Sequence, residues 1–133
     1  MLGQGGDMKL TIKGNIPSLK NSKQIYRNNR TGRPFITASD NAKSWMNSAT
    51  MQLLSQMNEL KPEPFNYPIN ITMVFYYKDK TRKDLDNSSS GVLDALVKAK
   101  VIDDDDHKHV DKVFLQFNGY DKANPRVEIH LDD

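Results

Sequence analysis

The sequence predicts a single small α+β domain in which a mixed sheet carries two main helices. Three observations support this fold class. The chain has 133 residues, which suits one domain. Four separate stretches alternate apolar and polar side chains, as half-buried strands do. Two further stretches repeat their apolar residues at helical spacing, so the predicted order of elements is β-α-β-α-β-β.

The first part of the chain is predicted to hold one strand and a long basic loop. Residues Met8–Lys13 alternate regularly, which indicates a strand. Residues 14–34 are rich in glycine, proline, asparagine and serine, so we expect a loop with a short hairpin around residues 30–32. Loops this long are usually functional or disordered. The loop contains Tyr26 and no acidic residue, which indicates an arm that contacts DNA; the alternative is a solvated loop. Its basic residues are Lys20, Lys23, Arg27, Arg30 and Arg33.

The first helix is predicted to start at Ser39-Asp40 and to end before Pro62. A serine-aspartate pair is a favourable helix start, and a proline cannot continue a helix. Apolar residues at helical spacing from Ala42 to Met57 should face the core. We expect Trp45 and the methionines to pack there and not to line a ligand pocket.

The second half of the chain is predicted to contain three strands and the second helix. Residues Ile69–Tyr77 alternate over a long strand, and the helix should span Asp84 to Lys100. Strands at Lys112–Tyr120 and Arg126–Leu131 should be joined by a turn containing Asn124-Pro125. The residues expected on the buried side of the helix are Val92, Leu93, Leu96, Val97 and Ala99.

The composition of the chain excludes several classes of protein. The absence of cysteine excludes disulfides and thiolate zinc sites and fits a cytoplasmic location. We find no secretory signal and no apolar stretch long enough to cross a bilayer, so we expect no membrane partner. Residues 1–7 resemble a flexible leader, which leaves residues 8–133 as the domain.

Two groups of aspartates flank the second helix. Asp84 and Asp86 lie at its start, directly after a basic run that includes Lys80, Arg82 and Lys83, and residues 103–106 are four aspartates in a row. Two carboxylates about 4 Å apart repel by about 4 kcal/mol at an effective dielectric near 20. A hard divalent cation with oxygen ligands removes that repulsion, and the basic residues suit a phosphate-bearing substrate. This combination indicates a Mg²⁺-dependent nuclease.

The residues alone leave the geometry of the acids open. The helix is about four turns long, so the two groups meet only if the later loop folds back or if a second chain supplies it. Either group alone would more often be a helix cap or a solvated turn. A calcium EF-hand counted from Asp84 is excluded, because its sixth residue is Ser89 and its twelfth is Ala95. A transition-metal site at His107 and His109 is disfavoured, since these two histidines stand without cysteine.

Three segments of the chain resemble the core motif of the RusA family of Holliday junction resolvases, which are often encoded by phages and prophages. They are Arg82-Lys83-Asp84-Leu85-Asp86-Asn87, then residues 93–99, and then Val101-Ile102-Asp103-Asp104-Asp105. Residues 17–21 and the basic loop after them are also similar. The resemblance implies a DNA endonuclease of recombination and repair that acts in the cytoplasm of a bacterial or phage-infected cell.

By position, the resemblance implies that Asp84 and Asp86 bind Mg²⁺, with Mn²⁺ as a substitute, and that Asp105 is the third essential carboxylate. Asp104 matches the other member of the later pair, and a slip of one residue to Asp104 or Asp106 stays open. The family's catalytic lysine is replaced here by Ser90, so Lys83 is our candidate for the positive charge. We expect Asp94 to be hydrogen-bonded within the fold.

The resemblance further implies a homodimer that makes paired symmetric nicks in four-way junctions. Lys80 and Arg82 join the basic loop as expected DNA contacts. Three alternatives stay open at this point: a nuclease for flaps or forks, a non-catalytic DNA-binding module, and a protein-interaction domain. The serine at position 90 favours the second of these alternatives.

Overall fold

The computed structural model describes residues 7–17, 30 and 40–133 with their side chains, and the backbone of residues 23–27 and 34–38. Residues 1–6 of the predicted leader lie outside this range, and the first strand already includes Asp7. The elements in chain order are β1 (Asp7–Lys13), β2 (Lys23–Arg27), β3 (Pro34–Ala38), α1 (Asp40–Leu60), β4 (Ile69–Tyr77), α2 (Leu85–Lys98), β5 (Val110–Tyr120) and β6 (Arg126–Asp132).

A four-stranded mixed sheet forms the centre of the fold, with strand order β1-β6-β4-β5. β6 runs antiparallel to both β1 and β4, whereas β5 runs parallel to β4. A parallel pair needs a crossover connection, and α2 provides it between β4 and β5. The predicted α+β class, with two helices and a mixed sheet, is confirmed.

The core lies between the sheet and the two helices. α1 contacts β1 and α2, and α2 contacts β5. Every second residue of β4 from Ile69 to Tyr77 is buried, which explains its strict alternation in sequence. Trp45 is buried as predicted, but Met51 and Leu54 are exposed, so the predicted apolar side of α1 was too wide. Within the described ranges, neither helix has the length and apolar character that crossing a bilayer demands.

β2 and β3 pair with each other as an antiparallel hairpin that is separate from the main sheet. The predicted loop over residues 14–34 was therefore wrong at residues 23–27, which pair with residues 34–38. The hairpin itself does turn around residue 30, as expected. Backbone pairing stabilises strands whose polar side chains give no alternating signal, so composition alone predicted a loop.

The carboxyl end of α2 sends the chain into the second acidic group. The helix ends at Lys98, two residues before the predicted boundary, and Lys100 adopts a left-handed conformation with φ 59°. The N–H of Val101 donates to the carbonyl of Leu96, and Val101 and Ile102 are buried. This closure resembles the left-handed cap that commonly ends helices. It fixes the position at which the exposed aspartates begin.

Glutamine side chains of α1 occupy the outer edge of β1. The side-chain oxygen of Gln56 accepts from the Thr11 N–H at 2.9 Å, and its amide donates to the Thr11 carbonyl at 2.7 Å. Gln52 makes the same pair of bonds to Lys13, at 2.8 and 2.9 Å. These bonds satisfy backbone groups that an edge strand otherwise presents to another chain.

Replacing Gln56 with alanine should lower the free energy of unfolding by about 2 kcal/mol, because a partly buried N–H and carbonyl of Thr11 lose their partners. Urea unfolding monitored by circular dichroism measures this change. Gln52→Ala is the matched control and should cost less than about 1 kcal/mol, since water can reach the exposed Lys13. Equal losses in the two variants would contradict this account of the β1 edge.

Candidate functional site

The two acidic groups lie at opposite ends of the sheet. Asp84 and Asp86 follow the carboxyl end of β4, where the Asp121 N–H donates to the Tyr77 carbonyl at 2.8 Å. Residues 103–106 lie at the amino end of β4, where the Ile69 N–H donates to the His109 carbonyl at 2.9 Å. The 14 residues of α2 span about 21 Å between them. Within one chain, the later loop does not fold back to Asp84.

Asp84 occupies the N-cap position of α2 with an extended backbone, φ −85° and ψ 130°. Its side chain makes no capping bond to the helix backbone. Instead, one carboxylate oxygen accepts from the Asn87 side-chain amide at 3.2 Å, and the other lies 3.8 Å from the Arg82 guanidinium. Two side chains, Asn87 and Arg82, therefore contact the Asp84 carboxylate.

Asp86 lies in the first turn of α2 and is exposed. Its carboxylate accepts from the Asn87 N–H at 2.9 Å, and its carbonyl accepts from the hydroxyls of Ser89 and Ser90 at 2.7 and 3.1 Å. Ser90, at the position where the resemblance implies a lysine, is therefore engaged with the helix backbone and brings no charge. The helix N-terminus favours the negative charge of Asp86.

The basic loop lies directly against this acidic pair. The Lys83 ammonium lies 3.4 Å from the Asn15 side-chain oxygen and 5.7 Å from the centre of the Tyr77 ring. Tyr77 is buried and shares a hydrogen bond of 3.1 Å with Ser88 in α2. Burial raises the pKa of Tyr77, and the negative charge of Asp84 raises it further, although the Ser88 hydrogen bond opposes both. The phenol therefore stays neutral beside the carboxylates.

Asp106, the last of the four aspartates at residues 103–106, fixes the conformation of this loop through its hydrogen bonds. Asp106 pairs with the Nδ1 atom of His109 at 2.6 Å and accepts from the Lys108 N–H at 3.1 Å. The hydrogen bond from His109 lowers the pKa of Asp106. The His109 ring packs edge-on against Tyr67 at 4.7 Å, and the Tyr67 hydroxyl accepts from the Asp103 N–H at 3.1 Å. Asp106 is thus occupied in holding the loop.

All four acids of the row are exposed, and Asp104 and Asp105 are its two middle members. The Asp104 carboxylate accepts from the Asp105 N–H at 2.8 Å. The Asp105 carboxylate accepts no hydrogen bond from any residue that the structure describes. Asp104 and Asp106 therefore have hydrogen-bond partners within the loop, whereas the carboxylates of Asp103 and Asp105 accept none from the described residues.

The predicted DNA-contacting residues divide into three groups. Lys80 and Arg82 are exposed, with Arg82 3.8 Å from Asp84, and Arg30 is exposed in the hairpin turn. For Lys23 and Arg27 only the backbone is described, within β2. Lys20 and Arg33 lie outside the described residues. Asp94, expected to be hydrogen-bonded, is instead exposed and makes no hydrogen bond to the described part of the chain.

Three aromatic residues beside the acidic pair were missed as site residues by the sequence analysis. Tyr77, Phe117 and Tyr120 line a cleft together with the basic loop. Tyr77 could have been identified from the sequence, because it ends a strictly alternating strand shortly before Asp84 and Asp86. Phe117 and Tyr120 lie in a strand that is exposed along most of its length, so their sequence pattern did not separate them from core residues.

Chemically, one chain offers two carboxylates with basic neighbours at one end and a row of acids at the other. Among the described residues, no three histidine or acidic side chains come together as a metal-binding group. Oxygen donors of this kind suit Mg²⁺ or Ca²⁺ and disfavour softer metals.

Comparison with known proteins identifies the family to which the chain belongs. No individual curated protein matches the chain. The family model described as endodeoxyribonuclease RusA matches residues 16–132, which is nearly the whole chain and includes both acidic groups. The chain therefore belongs to the RusA endodeoxyribonuclease family.

Proposed function

We propose that the protein is a Mg²⁺-dependent endonuclease that resolves four-way DNA junctions by paired symmetric nicks, with Mn²⁺ able to replace Mg²⁺. The observation that carries the proposal is the acidic pair of Asp84 and Asp86 inside a basic rim, in a member of an endodeoxyribonuclease family. Its place of action would be the cytoplasm of a bacterial or phage-infected cell, during recombination or repair.

Asp84 and Asp86 of one protomer, with the partner subunit's Asp105, would hold the metal. The donors are carboxylate oxygens, which fit a hard cation. The Arg82 guanidinium does not block the pair, because it lies 3.8 Å from Asp84 and its side chain is 92% exposed. These residues would hold a metal that, when bound, would supply activation of a water and stabilisation of the charge that develops on the phosphate. Asp104 would be a neighbouring ligand or would support Asp105 by fixing its N–H.

The other residues of the site would bind and orient the DNA. Lys83 stays close to the carboxylates because Tyr77 and Asn15 hold its ammonium group. From there it would add the positive charge that Ser90 does not supply. Lys80 and Arg82 would contact phosphates next to the scissile one. Asn87 donates to both Asp84 and Asp86, which fixes the two carboxylates relative to each other.

A second chain is proposed because the two edges of the sheet differ. Gln52 and Gln56 cover the outer edge of β1, whereas the outer edge of β5 pairs with none of the described strands. β5 also exposes apolar side chains on both of its faces, among them Val113 at 37% and Phe114 at 54%. An uncovered edge of this kind is a ready site for pairing with another strand.

Antiparallel pairing of two β5 strands about a two-fold axis would bring the acidic groups together. The amino end of one β5, beside residues 103–106, would then lie next to the carboxyl end of the other, beside Asp84 and Asp86. Each of the two sites would combine carboxylates from both chains. A four-way junction has approximate two-fold symmetry, so two such sites suit two matched nicks. This arrangement also accounts for the separation of the acids within one chain.

One observation favours a second candidate, a non-catalytic module that binds branched DNA. Ser90 replaces the family's lysine and donates to the helix backbone, so a charge of the family site is absent at that position. Under this alternative the acids only shape the surface charge. A nuclease for flaps or forks would share the proposed chemistry and differ in the substrate alone.

A mobile four-way junction should be cut at two symmetric positions in Mg²⁺ or Mn²⁺ and not in EDTA. Linear duplex and flap substrates, measured beside it on denaturing gels, should be cut far less. Binding should weaken steeply as salt is raised, because the basic rim contacts phosphates. Binding of the junction without cutting in either metal would contradict the nuclease proposal and favour the non-catalytic module.

Asp84→Asn should reduce junction cleavage by about a hundredfold or more, because several kcal/mol of transition-state stabilisation are lost with the ligand. Binding in EDTA should persist, and the free energy of unfolding without metal should be unchanged or higher, since repulsion from Asp86 is relieved. Asp94→Asn removes an exposed acid from the same helix and is the matched control. A melting temperature several degrees lower in Asp84→Asn would show a structural role instead.

A further inference from the structure

Four aromatic rings form a row from the core to the surface at the carboxyl ends of β4 and β5. Phe75 and Tyr77 stack with centroids 5.8 Å apart, and Tyr77 stacks on Phe117 at 5.7 Å. Tyr120 meets Phe117 edge-on at 5.1 Å. The exposed fraction rises along the row from 0% at Phe75 to 43% at Phe117 and 53% at Tyr120. Two large apolar rings are therefore presented to solvent on a buried support.

The support is rigid. Tyr77 is fixed on one side by its hydrogen bond with Ser88 and on the other by the Phe117 ring. Phe117 registers with Phe75 across the parallel pair, on the face of the sheet that the helices cover. A platform held in this way loses little conformational freedom when a flat ligand stacks on it.

A cleft of about 380 Å³ opens over this platform. Its walls combine Tyr77, Phe117 and Tyr120 with cationic side chains of the basic loop, Lys80, Arg82 and Lys83. None of its described lining residues is acidic. The cleft lies next to the acidic pair, because Arg82 also contacts Asp84 and because Tyr77 bonds to the first turns of α2. Flat apolar surface beside concentrated positive charge fits a ligand that is aromatic and anionic at once.

We propose that this cleft holds one unstacked nucleobase of the DNA strand whose phosphate lies at Asp84 and Asp86. The inference deepens the proposed function and rests on it. The base would stack on the exposed ring of Tyr120 or Phe117, and Lys80 and Arg82 would hold its flanking phosphates. Every base has an aromatic face, so stacking of this kind tolerates any sequence. Opening a base pair within duplex breaks stacking on both sides, whereas opening one at a branch point costs less stacking.

A protein partner is the less suitable occupant of the cleft. A partner that covers the two rings must also pair three cations, because unpaired buried charge is costly, and in the proposed dimer the nearby acids of the partner subunit are assigned to the metal site. A nucleotide satisfies both requirements with one ligand, because its phosphates remain at the rim and its base enters the cleft.

The test uses the full chain in EDTA with four-way junctions that carry 2-aminopurine at successive branch-point positions. Wild type should change the fluorescence at one position. Tyr120→Ala and Phe117→Ala should lose this change and weaken junction binding about tenfold, whereas Tyr120→Phe should keep both. Met51→Ala removes a more exposed apolar side chain, 67% exposed, from α1, away from the proposed dimer edge, and should also keep both.

Three results would overturn the inference. The first is unchanged fluorescence and affinity in Tyr120→Ala and Phe117→Ala. The second is equal weakening in Met51→Ala, which would assign the effect to exposed apolar surface in general. The third is a Tyr120→Ala variant that sediments as a smaller species than wild type, which would assign the rings to a protein contact. In all three cases wild type still cuts junctions; failure of wild type to cut any branched DNA would defeat the proposed function itself.

Discussion

The parallel connection from β4 through α2 to β5 is the constraint on which the rest of the structure depends. In a parallel pair the chain must return to its starting end before the second strand begins, and α2 makes that return. The motif aspartates lie at its first end and the row of aspartates at its second. About 21 Å of helix therefore separates them. Because this distance is set by backbone hydrogen bonds and a packed core, side-chain motion cannot close it.

The two edges of the sheet differ in whether another strand can pair with them. Amide groups of Gln52 and Gln56 satisfy the β1 backbone as another strand would. β5 lacks such cover among the described residues and exposes apolar side chains instead. In the proposed dimer, the same edge that buries these side chains would complete the metal site. Stability of the assembly and catalytic competence would then depend on one surface.

The sequence predicted most of the fold, because the signals were local. Alternation in Ile69–Tyr77 and helical spacing after Asp40 reflect burial against one core, and both elements are confirmed. The hairpin strand at residues 23–27 was missed, since its pairing with residues 34–38 leaves no periodic pattern in its polar side chains. At the site, the motif aspartates and the basic loop were predicted as neighbours, and they are neighbours. Two features of the site depend on strand order, which periodicity does not reveal. One is the distance between these aspartates and Asp105, and the other is the aromatic platform.

Mixing two inactive variants tests the composite site most directly. Asp84→Asn and Asp105→Asn chains, co-refolded so that protomers exchange, would form mixed dimers in which one site keeps all its carboxylates and the other loses two. The account predicts that each variant alone is inactive and that the mixture nicks a four-way junction in one strand only. A mixture as inactive as its components, although mixed dimers are shown to form, would place each complete site within a single chain and contradict the account.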